Sequence, residues 1–461
     1  MRVTLPIIFF LFGISFVFAA SLPLIQFLYF IFGIAGILII YLIIETDRNN
    51  KKFDVFNPKY YVLIGLLIFI YIGMVKNAFS EYLPSYNINE VCIICIVCVV
   101  STFSYLIPYI ISSKKQRITP HHMLYTKKYI KIKSLTKITC IYFFLSNIGI
   151  RYLIPKLGGL HSPFYNIIGY VGYMGPIAGL FAGYLLFIKK EKKSFMLKFI
   201  LFMIFTSAFF LGTSRTPIAY IILPLLLLFI RERHLRQQLN TTHYRINEFK
   251  VLILTIVLMY IGGIYKASNI IYVEGKTLKD ININYALEHA FKFEFVDAFD
   301  NIFKLKEIFI DQDNLLWGKS FFAFIVNPIP RYIWPAKPKS LGYILAERFY
   351  TEETEVSLAT SFIGELLVNF SYIGAIVGYL ILGIFSKLFY LKYKKNYRND
   401  VYVIPYTLLL TMLILESRGD FLTINIRGLS FILFSWLGIK FSLKKLNALN
   451  NASGSNSGRI L

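Results

Sequence analysis

Residues 22–44 read LPLIQFLYFIFGIAGILIIYLII, and residues 45–52 follow at once as ETDRNNKK. The first stretch carries no charged side chain, and the second is dense in them. A bilayer core of roughly 30 Å takes about 20 helical residues to cross. Inside lipid a helix satisfies its own backbone N–H and C=O groups, which an open strand does not. The stretch therefore reads as a transmembrane helix ending in a charged collar. Comparable apolar runs recur near 4–20, 60–76, 91–112, 138–155, 164–188, 195–213, 216–230, 251–270, 361–390, 401–416 and 422–441. They are too long and too uniformly apolar for the alternating segments of about ten residues that build a membrane β-barrel. The expected fold is all-α: a polytopic integral membrane protein of about twelve transmembrane helices with one large outer loop.

Composition agrees. Of 461 residues, 56% are hydrophobic and only 16% charged, whereas a soluble domain has roughly 25% charged residues. The net charge of +24 is concentrated in the stretches Arg48 to Lys59, Lys114 to Lys137, Lys189 to Lys193, Arg231 to Lys250, Lys392 to Arg398 and Lys440 to Lys445. These fall between alternate spans, and the intervening short loops 77–90 and 156–163 are nearly free of cations. That is the positive-inside pattern, which places both termini in the cytoplasm. The charge is a topology signal, so nucleic acid is not expected as a partner; membrane lipid is. Met1 to Ala20 resembles a signal peptide. Retained as a first helix, it puts every basic stretch on one side, and it is read as uncleaved.

Residues 1–445 read as a single transmembrane domain, with 446–461 a polar and disordered cytoplasmic tail. Cys92, Cys95 and Cys98 lie within one apolar span, where helical geometry spreads them around the axis and keeps three thiolates from converging. They are read as small core residues. Gly175, Gly179 and Gly183 form a small-residue ridge suited to close helix packing, as do Gly374 and Gly378. One connection is long: residues 271–360 on the outer side, and loops of this length are usually functional. Between Asn284 and Ile310 its apolar residues Phe291, Phe295, Phe299, Ile302 and Phe303 recur at helical spacing, predicting one or two amphipathic helices. Further on, Pro328, Pro330, Pro335 and Pro338 stiffen the chain and fix the directions of Arg331, Trp334 and Lys337.

Cation choice points to chemistry. The chain has 34 Lys and 15 Arg, yet Arg151, Arg215, Arg418 and Arg427 occupy the outer ends of spans. Arg is permanently charged and grips phosphate with a planar fork. Ionisable groups near membrane depth are costly and line functional cavities, although a single cation at a helix end is also a normal headgroup anchor. Thr213-Ser-Arg215-Thr-Pro217 joins two spans, and Pro217 suits a helix start. Its free N–H groups would favour an anion beside Arg215. Glu416-Ser-Arg418-Gly-Asp420 is a second short outer turn, with Asn425 and Arg427 just beyond it. Glu365 and Asn369 stand one helical turn apart. Glu365 is a candidate base and equally a structural partner to an Arg. His161 and His289 are the histidines on the outer side. No metal-ligand set is read, and no P-loop, HExxH or GxSxG motif is present.

The order of Gly212-Thr-Ser-Arg-Thr216, Pro330-Arg-Tyr-Ile-Trp-Pro-Ala-Lys-Pro338, Gly364-Glu-Leu-Leu-Val-Asn-Phe370 and Ser417-Arg-Gly-Asp420 resembles the Wzy-type O-antigen (oligosaccharide repeat-unit) polymerases. The resemblance rests on residues 200–440. It implies a metal-independent, inverting integral-membrane glycosyltransferase of the bacterial inner membrane, its large loop periplasmic, with no cofactor. The enzyme would move a growing glycan from undecaprenyl pyrophosphate onto an incoming lipid-linked repeat unit, and would admit a chain-length regulator protein as a partner. Arg215, Arg418 and Arg427, together with Arg331, then become candidates for the pyrophosphate charge, with Arg215 the best placed, and Glu365 or His289 becomes the base. Arg331, Trp334, Lys337, Asn369, Asp420 and His289 become substrate-binding candidates. An O-antigen ligase shares this architecture and is the alternative within the class. A lipid-linked oligosaccharide flippase or transporter is the alternative outside it, and would be expected to show paired discontinuous helices in related halves.

Overall fold

A computed structural model of the chain describes residues 22–50, 52–79, 86–111, 129–148, 170–191, 194–210, 216–238, 297–329, 333–349 and 358–444. Within them the chain is helical: α1 (Leu24–Asn49), α2 (Pro58–Ala78), α3 (Ile88–Ile111), α4 (Ile132–Ile148), α5 (Tyr170–Ile188), α6 (Phe195–Phe210), α7 (Thr216–Gln238), α8 (Asp300–Phe309), α9 (Lys319–Val326), α10 (Leu341–Phe349), α11 (Phe362–Asn396), α12 (Asp400–Glu416) and α13 (Phe421–Ser442). A two-residue antiparallel pairing of Tyr129–Ile130 with Leu443–Lys444 is the strand content of the described residues. Six helices (α1, α2, α3, α5, α11 and α13) are long and apolar enough to cross a membrane. The expected spans near 4–20 and 251–270 lie outside the described residues, so about twelve crossings is an expectation that six helices meet in part. The chain is a multi-pass helical membrane protein.

Contacts divide the chain into two compact units. One comprises residues 1–111, 245–392 and 409–428; the other comprises 112–244, 393–408 and 429–461. In the second unit the expected glycine ridge of α5 packs as such ridges do. A Cβ on Gly179 would come within 2.9 Å of the Ile221 side chain, and one on Gly183 within 2.4 Å of the Leu225 side chain, so side chains of α7 fill the space the glycines leave. In lipid there is little hydrophobic gain from joining two helices, and close van der Waals packing takes its place. Asp400, at the start of α12, accepts hydrogen bonds from Arg231 (2.6 Å), Tyr184 (2.7 Å) and Lys189 (3.3 Å) and ties α7 and α5 to it. Cys95 and Cys98 are buried in α3 of the first unit, as free thiols.

In the first unit the expected amphipathic helix is α8. Its apolar side, Ile302, Phe303, Leu305 and Phe309, is buried, and Phe299 and Phe303 meet Tyr29 of α1 edge-on at 5.8 and 6.1 Å. Its polar side is latched by charge: Asp300 accepts from Lys76 (2.9 Å) and Asn77 (2.6 Å), and Lys306 donates to Glu90 and Asp311, both at 2.7 Å. Burial works against the Lys306 ammonium, yet the Asp311 and Glu90 carboxylates outweigh it and hold its pKa above the usual lysine range. This part of the long loop is packed on the bundle. The expected helix upstream of residue 297 lies outside the described residues.

The run 361–390, read in sequence as one span, is not one helix. At Phe370 and Ser371 the backbone leaves helical geometry, with φ of −138° and then +60°. Residues 362–369 fold back along the following helix: the Leu366 side chain occupies the place a Cβ on Gly378 would take, at 2.4 Å, and Phe362 meets the Tyr379 ring at 5.7 Å. Along a continuous helix Leu366 and Gly378 would stand about 18 Å apart. Gly374 and Gly378 thus admit close packing as expected, but from the preceding half of their own helix. The long part, 372–396, is the membrane-length element.

Candidate active site

The short helix 362–369 carries Glu365 and Asn369 into the centre of the first unit. Both are fully buried. Glu365 accepts hydrogen bonds from the Ser320 hydroxyl of α9 and from the backbone N–H of Phe421, the first residue of α13. Asn369 donates to Ser320 Oγ (2.7 Å) and to the Glu365 carbonyl (2.8 Å), and its Oδ1 accepts from Gly318 N (2.8 Å). Gly318 has φ of +86°, a conformation glycine adopts without the clash a Cβ brings. The i, i+4 spacing visible in the sequence therefore places an acid and an amide on one helix face, and that face fastens α9 and α13.

The 417–420 turn is fixed at both ends to the same helix. Ser361 N donates to the Arg418 carbonyl (2.9 Å), and Phe421 N to Glu365. Asp420 caps α13 by accepting from Thr423 N (2.6 Å), and it accepts a longer bond from Gly342 N (3.4 Å) at the start of α10. Burial raises the Asp420 carboxyl above its ordinary range, against the hydrogen bonds from Thr423 and Gly342 that favour the anion. Glu416 is buried and accepts from Asn425 at 3.0 Å. These three carboxylates do not converge as ligands of one ion. The Arg418 guanidinium is 35% exposed and stands 3.8 Å from Asp297. The backbone under this cation is fastened by these hydrogen bonds, while the cation itself stays part-exposed.

Glu365, Asn369, Arg418 and Asp420 are thus brought together. Arg427 is half-buried on α13. Trp334 is half-buried with its ring 6.4 Å from Phe322. Lys337 is buried and donates to the carbonyls of Asn327 and Ile329, both at 2.8 Å, so its ammonium ties together the proline-rich segment that carries it. Arg215, His289 and Arg331 lie outside the described residues; α7 does begin at Thr216, directly after Arg215. Sequence reading did not single out Ser320 or Ser361, and it counted Asp297 only among the acidic residues of the amphipathic segment. The one sign of Ser320 was a lone hydroxyl among the apolar residues of Lys319–Val326.

Residues 328–446 match the family model described as O-antigen polysaccharide polymerase Wzy. The matched segment contains the proline-rich stretch, the Glu365 helix and the Arg418 turn, and stops short of Ser320 and Arg215. No curated protein and no solved structure gives a match.

Proposed function

We propose that this protein is a polymerase of lipid-linked oligosaccharide repeat units, working at the outer face of the bacterial inner membrane with both termini in the cytoplasm. The acceptor hydroxyl oxygen attacks the anomeric carbon of the donor glycan. The bond from that carbon to undecaprenyl pyrophosphate breaks, the configuration inverts, and the hydroxyl proton passes to a base. Charge develops on the departing pyrophosphate, and fixed cations in a water-poor site stabilise it before it is fully formed. Arg418 is the cation that best fits this task, with Arg215, Arg331 and Arg427 as its companions. Glu365, wholly buried with both oxygens occupied, suits the positioning of Arg418 and of the acceptor better than direct proton abstraction. His289 is then the candidate base, and Trp334 a platform for a sugar ring.

The observation that carries this reading is the joining of two sequence motifs, the Glu365–Asn369 helix and the Arg418–Asp420 turn, both inside the family-matched segment, beneath one part-exposed guanidinium. A deletion strain tests it. Loss of the long polysaccharide ladder, with single repeat units still transferred, is expected, whereas loss of all surface sugar would point to a ligase. In the complemented strain, Arg418→Ala and Arg215→Ala are each expected to lower polymer formation about 10²–10³-fold. The corresponding Lys variants keep the charge without the fork and are expected to lose much of the activity. Full-length polymer from the Lys variants would reduce these residues to headgroup anchors.

A further inference from the structure

Helix α9 is built inside out for a helix in water. Its inward face presents Ser320, Ala323 and Val326, and Ser320 is engaged with Glu365 and Asn369. Its outward face presents Phe322 and Ile325, with Ile329 continuing the same side and Trp317 in the turn before it. Trp317 is 73% and Ile325 69% exposed. An outward surface of this composition in water is a liability that soluble proteins avoid.

What covers it is indicated by what it adjoins. The backbone of the turn is fastened to α11, because Leu316 N donates to Val368 O at 2.9 Å, and the rings of Phe321 and Phe370 lie parallel at 6.0 Å. From Phe370 an exposed apolar stripe runs down the membrane-length part of α11 through Ile373, Val377, Ile381, Ile384 and Leu388. These positions recur every three or four residues and define one face of a helix, which in a membrane helix is the face toward lipid. Through Phe321, α9 therefore adjoins that stripe at the end where the long part of α11 begins. Trp317, beside Lys319, has the amphipathic character that places tryptophan and lysine at a membrane–water boundary.

We infer that α9, with the turn before it, is embedded in the bilayer interface, its Phe322, Ile325 and Ile329 face among acyl chains. Part of the long loop is then a membrane element, and Ser320, Glu365 and Asn369 lie directly beneath it. This inference rests on the membrane class of the protein and not on the reaction proposed above.

The chain has three tryptophans, so Trp334→Phe with Trp436→Phe leaves Trp317 as the sole reporter. The variant is reconstituted in nanodiscs of phosphatidylcholine brominated either near the carbonyl end or near the methyl end of the acyl chain. A helix lying ~5–10 Å into the headgroup–acyl boundary should lose more Trp317 emission to the shallow bromines than to the deep ones, and little to aqueous acrylamide. Free quenching by acrylamide, with no loss to either lipid, would overturn the inference. Shielding from both would also overturn it, because a protein neighbour would then occupy the face. A nitroxide on Ile325→Cys provides the same decision independently: collisions with oxygen should exceed those with a water-soluble nickel chelate, and the reverse order rejects the bilayer.

Discussion

Asp420 does two jobs that a substitution pair separates. Its carboxylate caps α13 through Thr423, and its burial places a negative charge where water does not reach it. A carboxyl whose pKa is raised on folding stabilises the fold below its ordinary value, and that contribution is lost as pH rises through the folded value. Asp420→Asn keeps an acceptor for the cap and removes the charge. It is expected to match the parent in acid, where Asp420 is protonated, and to melt no lower, and rather higher, at neutral and alkaline pH. Asp420→Ala loses the cap as well as the charge and is expected to lie about 1 kcal/mol below Asp420→Asn at every pH. Melting curves of the detergent-solubilised protein from mildly acidic to alkaline pH decide this. An Asn variant that falls progressively below the parent as pH rises would mean that the charge is matched by a cation.

The break in α11 makes its own prediction. Ser371 holds φ of +60° with ψ of −166°, a region that is essentially glycine's, and a residue forced there costs on the order of 1–3 kcal/mol. Ser371→Gly should therefore raise the melting temperature, and Ser371→Val should lower it sharply. A continuous helix would give the opposite order for glycine, which costs roughly 1 kcal/mol in a helix interior. This break also marks where sequence reading stopped. The helices themselves were legible because long apolar runs admit one solution in lipid, and the pairing of Glu365 with Asn369 was legible because both lie on one turn. Phe370-Ser371 contains neither glycine nor proline, and Asn369 and Ser371 interrupt the apolar run only singly, so nothing local announces a reversal. It is held by distant contacts, Gly318 to Asn369 and Ser320 to Glu365, about 50 residues apart in the chain. Pairings at that range are invisible to a pattern with a period of 3.6. Lys337 shows the converse: the proline-stiffened segment directs it at a substrate in the sequence, whereas in the fold its ammonium donates to the Asn327 and Ile329 carbonyls of that same segment.

Orientation in the membrane is the property on which the proposed chemistry depends, since a lipid-linked donor displayed on one face is useless to a site on the other. The charge distribution carries the expectation, because six basic stretches on alternate connections can all be cytoplasmic only if Arg418, Asp420 and the proline-rich segment are outside. The long part of α11 is the element that would link the two sides directly. Its 372–396 segment is about 37 Å long at 1.5 Å per residue, enough to cross roughly 30 Å of hydrocarbon. It begins beside the Glu365 helix and ends among Lys392, Lys394 and Lys395. Lys339, before α10, and Lys394, at the far end of α11, are both exposed. Lys339→Cys and Lys394→Cys in a chain whose own four cysteines are replaced therefore report opposite faces. In intact spheroplasts an impermeant maleimide should label Lys339→Cys at once and Lys394→Cys only after the membrane is opened. The reverse order would put the Arg418 turn in the cytoplasm and end the outer-face polymerase reading. Labelling of both without opening would mean that 372–396 does not cross the membrane. Labelling of Lys339→Cys alone would place the arginine-bearing turn on the face where a polymer can be exported as it grows.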